Sequence, residues 1–250
     1  MEPGPRSVAN LELNVELKGF AWVQALCVGG LVGGGVVAYL IQNLSGHDTV
    51  YGLVPMLDVG NEKGIATFFS ALNLLLASVL TYSLCTLSHN VRVGRGWMWL
   101  AWVFVYLAFD EATAFHENFE RLDVLLPEDG LIQSRHAWLL FGFSFAAVAT
   151  VVFLPLLRHL PRTTAGLVLL AGALFATGAL GFELLGSWMI KRGIGIDTLF
   201  YDLRRVAEEG LEMSAIALYN WTLVRELSIG RASATIAVRP SAVRSTSAIR

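Results

Sequence analysis

Asp110, Glu111, His116 and Glu117 crowd into one short segment at the end of an apolar run that begins at Trp97. That run reads as a membrane helix. A carboxylate or base at mid-bilayer costs about 2.5–3.5 kcal/mol on insertion scales. Further along stand Glu183, then Glu208, Glu209 and Glu212, each inside another apolar stretch. Ionised burial of so many acids without compensation is excluded. They must meet water near an interface, hold protons, or share a cation.

A shared cation accounts for most of these residues together. Carboxylates with an imidazole, projecting from several helices of a bundle, are the ligand set of di-iron and di-manganese sites. An all-oxygen set suits calcium or manganese. One metal with a bound water and a carboxylate base would be a hydrolytic site. An unbroken helix turns about 100° per residue. Asp110 and Glu117 then share a face, flanked by Thr113, His116 and Glu120, while Glu111 points elsewhere. Glu208 and Glu212 form an i, i+4 pair, with Arg205 and Glu209 on the same face.

The expected metal ligands are Asp110, Glu111, His116, Glu117, Glu183, Glu208, Glu209 and Glu212, and the expected catalytic groups are Glu117 and His116. The cofactor would be a divalent ion: zinc, iron, manganese or calcium. A hydrolase or oxidoreductase acting on a lipid or other apolar substrate follows. Thr113, not Glu, stands three residues before His116, which departs from the repeated Glu-x-x-His of the di-metal bundles. A proton- or cation-coupled transporter also needs intramembrane acids. Against it, no span shows a midplane break and no inverted repeat is visible. A structural membrane protein, with Glu208 or Glu209 paired to Arg205, is the third reading.

These residues need a scaffold, and hydropathy supplies one. A spanning helix takes about 20 mostly apolar residues. Six segments qualify: Gly19–Leu44, Gly64–Leu87, Gly96–Phe119, His136–Leu157, Thr164–Ile190 and Leu203–Leu227. The expected fold is an all-α polytopic bundle of about six transmembrane helices. A short tail, 1–18, precedes it, and a basic tail, 230–250, expected to be disordered, follows. Arg92, Arg95, Arg158, Arg162 and the C-terminal arginines share one side, which places both termini in the cytoplasm. The acids on the third, fifth and sixth spans then all fall in the outer leaflet.

Of 250 residues, 55% are hydrophobic and 15% charged, against about 25% charged in an ordinary soluble domain. The net charge of −2 says nothing about partners, and the lack of a basic face or aromatic-basic interleaving argues against nucleic acid. Membrane lipids are the expected surroundings. Gly29, Gly30, Gly33, Gly34 and Gly35 give two overlapping G-x-x-x-G spacings on the first span. Such spacings suit close helix packing, including a homo-oligomer.

The Asp-Glu-x-x-x-x-His-Glu run, the later Gly181-Phe182-Glu183, and the final Glu-Glu-x-Leu-Glu-Met at Glu208 to Met213 together resemble a group of uncharacterised bacterial multi-pass membrane proteins. The similarity covers about Trp97 to Leu223 and implies a bacterial cytoplasmic (inner) membrane location. The chain is also distantly similar to the membrane hydrolase superfamily that includes the alkaline ceramidases, which are seven-span zinc enzymes. Their late His-x-x-x-His pair is missing here, so their mechanism does not carry over.

Overall fold

The computed structural model describes residues 16–46, 49–61, 63–116, 118–119, 132 and 136–229. Glu117, most of the 120–135 loop and the basic tail lie outside them. Among the described residues every regular element is helical. The order is α1 (Leu17–Ser45), a 3-10 turn (Val50–Gly52), α2 (Leu53–Leu57), α3 (Ile65–Leu87), α4 (Val91–Thr113), α5 (Leu139–Leu157), α6 (Arg162–Ala176), a π turn (Thr177–Phe182), α7 (Glu183–Lys191) and α8 (Leu199–Ile229).

Among the described residues four helices are long and apolar enough to cross a membrane: α1, α3, α5, and the continuous run Arg162–Lys191 through α6 and α7. Their outward faces carry large apolar side chains, with Trp22 and Leu26 each 68% exposed. Surfaces of that kind are stable against lipid, not water. The chain is therefore a membrane protein. The helices α4 and α8 have the length but fall short in apolar character, for a structural reason. Helix α8 is central, packing against α1, α3, α6 and α7. Twelve of its residues are buried, among them Asp202, Arg204 and Glu208. Neighbouring helices, not lipid, receive its polar groups.

Two clusters form the core. The larger joins α3, α4, α6 and α8 through Leu74, Trp97, Phe104, Ala171, Ile216 and Tyr219. The smaller gathers Tyr39, Val59, Ala66 and Val206 where α1, the α2–α3 connection and α8 meet. Gly35 lets Val59 approach α1, since a Cβ there would stand 2.7 Å from Val59 Cγ1. Gly29, Gly30 and Gly33 meet nothing within 4 Å. The glycine stretch on α1 thus divides between an internal contact and an outward face.

A polar network ties α1, α3 and α8 together inside the apolar interior. Gln24 Nε2 donates to Asn73 Oδ1 at 2.8 Å, and Asn220 Nδ2 donates to the Asn73 carbonyl at 3.0 Å and to its Oδ1 at 3.3 Å. A buried donor that loses its acceptor costs about 1–3 kcal/mol. Asn73→Leu removes the acceptor of Gln24 and one of two serving Asn220. Its expected result is a loss of about 1–3 kcal/mol, read as a lower melting temperature in detergent.

Two expectations about the helices are corrected here. The third span does not run to Phe119 as one helix. It stops at Thr113, because Ala114 takes a left-handed conformation, φ 48° and ψ 40°. The fifth apolar span does contain an interruption, the π turn at Thr177–Phe182 immediately before Glu183. Such turns are rare and concentrate at functional sites.

Candidate functional site

The left-handed Ala114 folds the chain back over the last turn of α4. This brings His116 onto Asp110, which accepts from the His116 backbone N–H at 2.7 Å and lies 3.0 Å from its Nδ1. One carboxylate therefore ends the helix and holds an imidazole. When the ring is neutral and gives its Nδ1–H to this carboxylate, its lone pair is on Nε2. Trp138, just before α5, packs against the imidazole with ring centroids 4.8 Å apart.

A second group forms where the π turn and α7 meet α8. His136 Nε2 lies 3.1 Å from Glu183 Oε2. The Arg204 guanidinium stands 3.0 Å from Glu208 Oε2 and 3.8 Å from Glu183 Oε1, and donates to the Phe182 carbonyl at 2.6 Å. Gly186 makes this possible. A Cβ there would sit 3.0 Å from the guanidinium carbon. The Nε of Arg204 and the Nδ1 of His136 are buried without a partner among the described residues.

Both groups open on one cavity of about 670 Å³. Asp110, Glu111, His116, Glu183, Glu208, Glu209 and Glu212 all line it. Of the eight expected ligands, seven therefore converge, and Glu117 lies outside the described residues. Glu111, off the face that carries Asp110, turns to the neighbouring helix α8, where it and Glu212 flank a small void beside Asn73. Glu209 and Glu212 make no hydrogen bond or ion pair with a described residue. The cavity walls beyond the acids are apolar, with Phe104, Phe145, Phe153, Leu156 and Val168 running to Leu160 at the far end of the bundle.

Two features escaped sequence reasoning. Arg204, not Arg205, is the counter-ion of Glu208. The signal was there in the spacing, since Arg204 and Glu208 are four apart on one helix. Arg205 instead interacts with Tyr39 and Asp58 and lies over the Tyr201 ring. Tyr39 donates to Asp58, and Asn43 Nδ2 donates to Asp202 at 3.0 Å, so this second network clips α1 to α8. Among the described residues no three His, Cys, Asp or Glu side chains form a group that could hold an ion.

A family model described as a domain of unknown function, DUF8692, matches residues 18–225. This chain is a DUF8692 protein. The matched region takes in every described helix except Leu17 of α1 and the last residues of α8, and with them the whole cavity. No curated protein and no solved structure matches the chain. For this DUF8692 chain the site's chemistry must come from its own geometry. It has a carboxylate–imidazole pair, an arginine between two glutamates, two glutamates without an ion-pair partner among the described residues, and an apolar space leading away from them.

Proposed function

We propose that this protein is a six-span membrane enzyme acting on the polar group of a lipid-like amphiphile. The observation that carries the reading is the polarity of this cavity, acidic and cationic at one end and apolar along the rest. A pocket of this size and lining suits a small amphipathic molecule. Helices α4 and α8, at 23 and 31 residues, supply the fifth and sixth crossings inside the bundle. Arg92, Arg95, Arg158 and Arg162 flank the apolar end, which supports a cytoplasmic location for that end and an outer-leaflet location for the acids.

In this scheme His116 Nε2 is the proton acceptor, and Asp110 fixes the ring and stabilises the imidazolium that forms. Arg204 neutralises Glu183 and Glu208 and offers donors towards developing negative charge. The test is chemical analysis of the purified protein. The expected result is a co-purifying amphiphile identified by mass spectrometry, whose polar group changes over time in wild type. Asp110→Asn is expected to retain the amphiphile and leave it unchanged. A preparation free of any such molecule, even after reconstitution with membrane lipid extract, would count against the reading.

A divalent ion at the acidic end is the second reading. Glu209 and Glu212, one helical turn apart and without ion-pair partners among the described residues, favour it. So does the Asp110–His116 pair, since ligating imidazoles commonly give their other ring N–H to a carboxylate. Elemental analysis decides this. Stoichiometric metal in wild type that is lost in Glu212→Gln supports the ion, and metal-free wild type with turnover retained rejects it.

A further inference from the structure

The apolar arm of the cavity is not sealed. Helix α5 is buried only at Leu139, Gly142 and Leu156, near its two ends. Between them Phe141, Phe145, Ala149 and Phe153 recur every four residues along one face and line the cavity. The facing wall on α6 includes Leu169, Gly172, Ala173 and Ala176. Leu169 is 54% exposed, and Gly172, Ala173 and Thr150 of α5 are exposed as well. Residues that line the interior and also reach the outside mark an opening. A Cβ placed on Gly172 meets nothing within 4 Å, so the small side chains leave open space there.

The opening lies between two of the helices apolar enough to span, about a third of the way along the run Arg162–Lys191. What faces it in a bilayer is hydrocarbon, not water. From Ala173 to Glu183 the helix rises about 15 Å. The window therefore stands roughly that far from the acidic end, at the depth of acyl chains.

We infer that the apolar arm is a hydrocarbon-chain subsite filled sideways from the bilayer, through a window between α5 and α6 framed by Thr150, Leu169, Gly172 and Ala173. This rests on the amphiphile reading of the cavity. A chain entering there keeps its tail in an apolar medium throughout, while its polar group moves to the carboxylates and Arg204. The alternative route, through the polar end, would drag the tail past six carboxylates.

The test uses the full chain in phosphatidylcholine vesicles doped with a phosphatidylcholine that carries a photoreactive diazirine on one acyl chain. Labelled residues are mapped by mass spectrometry. Wild type is expected to be labelled on the cavity wall at Phe104 and Leu107, at the window residue Leu169, and on the outer face at Trp22 and Leu26. Ala173→Trp, placed at an exposed position, is expected to cut labelling at Phe104 and Leu107 severalfold, with Trp22 and Leu26 unchanged and the melting temperature kept. Gly172→Leu is a second closure variant with the same expectation. Equal cavity labelling in wild type and in both variants overturns the window while leaving the cavity as a lipid site. Wild type labelled at Trp22 but not at Phe104 overturns the amphiphile reading itself. A window at which Leu169 is unlabelled, because a second copy covers it, overturns the route.

Discussion

Arg204→Met is expected to destabilise the protein by about 3–5 kcal/mol, the cost of leaving a buried carboxylate without its cation. Arg204 is 6% exposed and Glu208 also 6%. The guanidinium serves Glu208, Glu183 and the Phe182 carbonyl together. Its removal leaves the buried Glu208 carboxylate and the Phe182 carbonyl without this donor, while Glu183 keeps His136. Lysine has one compact charge and no planar fork, so Arg204→Lys should recover only part of the loss. The revealing variant is the double one. Where both partners of a buried pair become apolar, stability commonly returns, because desolvation of the charges had offset most of their attraction. Arg204→Met with Glu208→Leu is therefore expected to melt well above Arg204→Met alone. Thermal denaturation in detergent measures all three. A single variant as stable as wild type would mean that Arg204 does not neutralise the acids, and the site would need a different balancing charge.

Most of the scaffold was legible because hydropathy and length are properties of a segment alone. The expected spans Gly19–Leu44 and Gly64–Leu87 lie within a residue or two of α1 and α3. Counting crossings puts the acids of the third, fifth and sixth expected spans at one depth, and the structure has acids of α4, α7 and α8 lining one cavity. What escaped depends on contacts between segments. Alanine at position 114 carries no signal for a left-handed cap. The conformation is held because Asp110 captures His116 from six residues on. Thr177–Phe182 has no residue that dictates a π turn. The register shift lets Gly178 lie against α8, a tertiary reason invisible in α6 alone. Arg204 and Arg205 are adjacent and chemically the same, so only the packing of α1 decides that Arg205 turns to Tyr39 and Asp58. The cavity belongs to the spaces between helices, and no single helix announces it.

The π turn leads to the second large expected effect, in Gly178→Val. A Cβ at Gly178 would stand 2.6 Å from Glu212 Cγ and 3.2 Å from the Glu208 carbonyl oxygen. One neighbour is the backbone of α8, the central helix, which has no room to withdraw. The other is the stem of a glutamate that lines the cavity. Overpacking of this kind costs typically about 1–3 kcal/mol. Here relief means moving the π turn off α8 and carrying Glu183, the first residue of α7, with it. Gly178→Val should thus lower the melting temperature and also impair whatever ligand or metal occupancy wild type shows. Gly172→Ala is the control: it lies on the same apolar span with open space around it, and in a helix interior alanine is favoured over glycine by roughly 0.5–1 kcal/mol. It should leave stability level or slightly raised, with occupancy intact. Opposite outcomes at two glycines six residues apart would tie the site to the close approach of the π turn to α8. Equal tolerance at both would mean that the turn is an incidental kink and that Glu212 keeps its place without it.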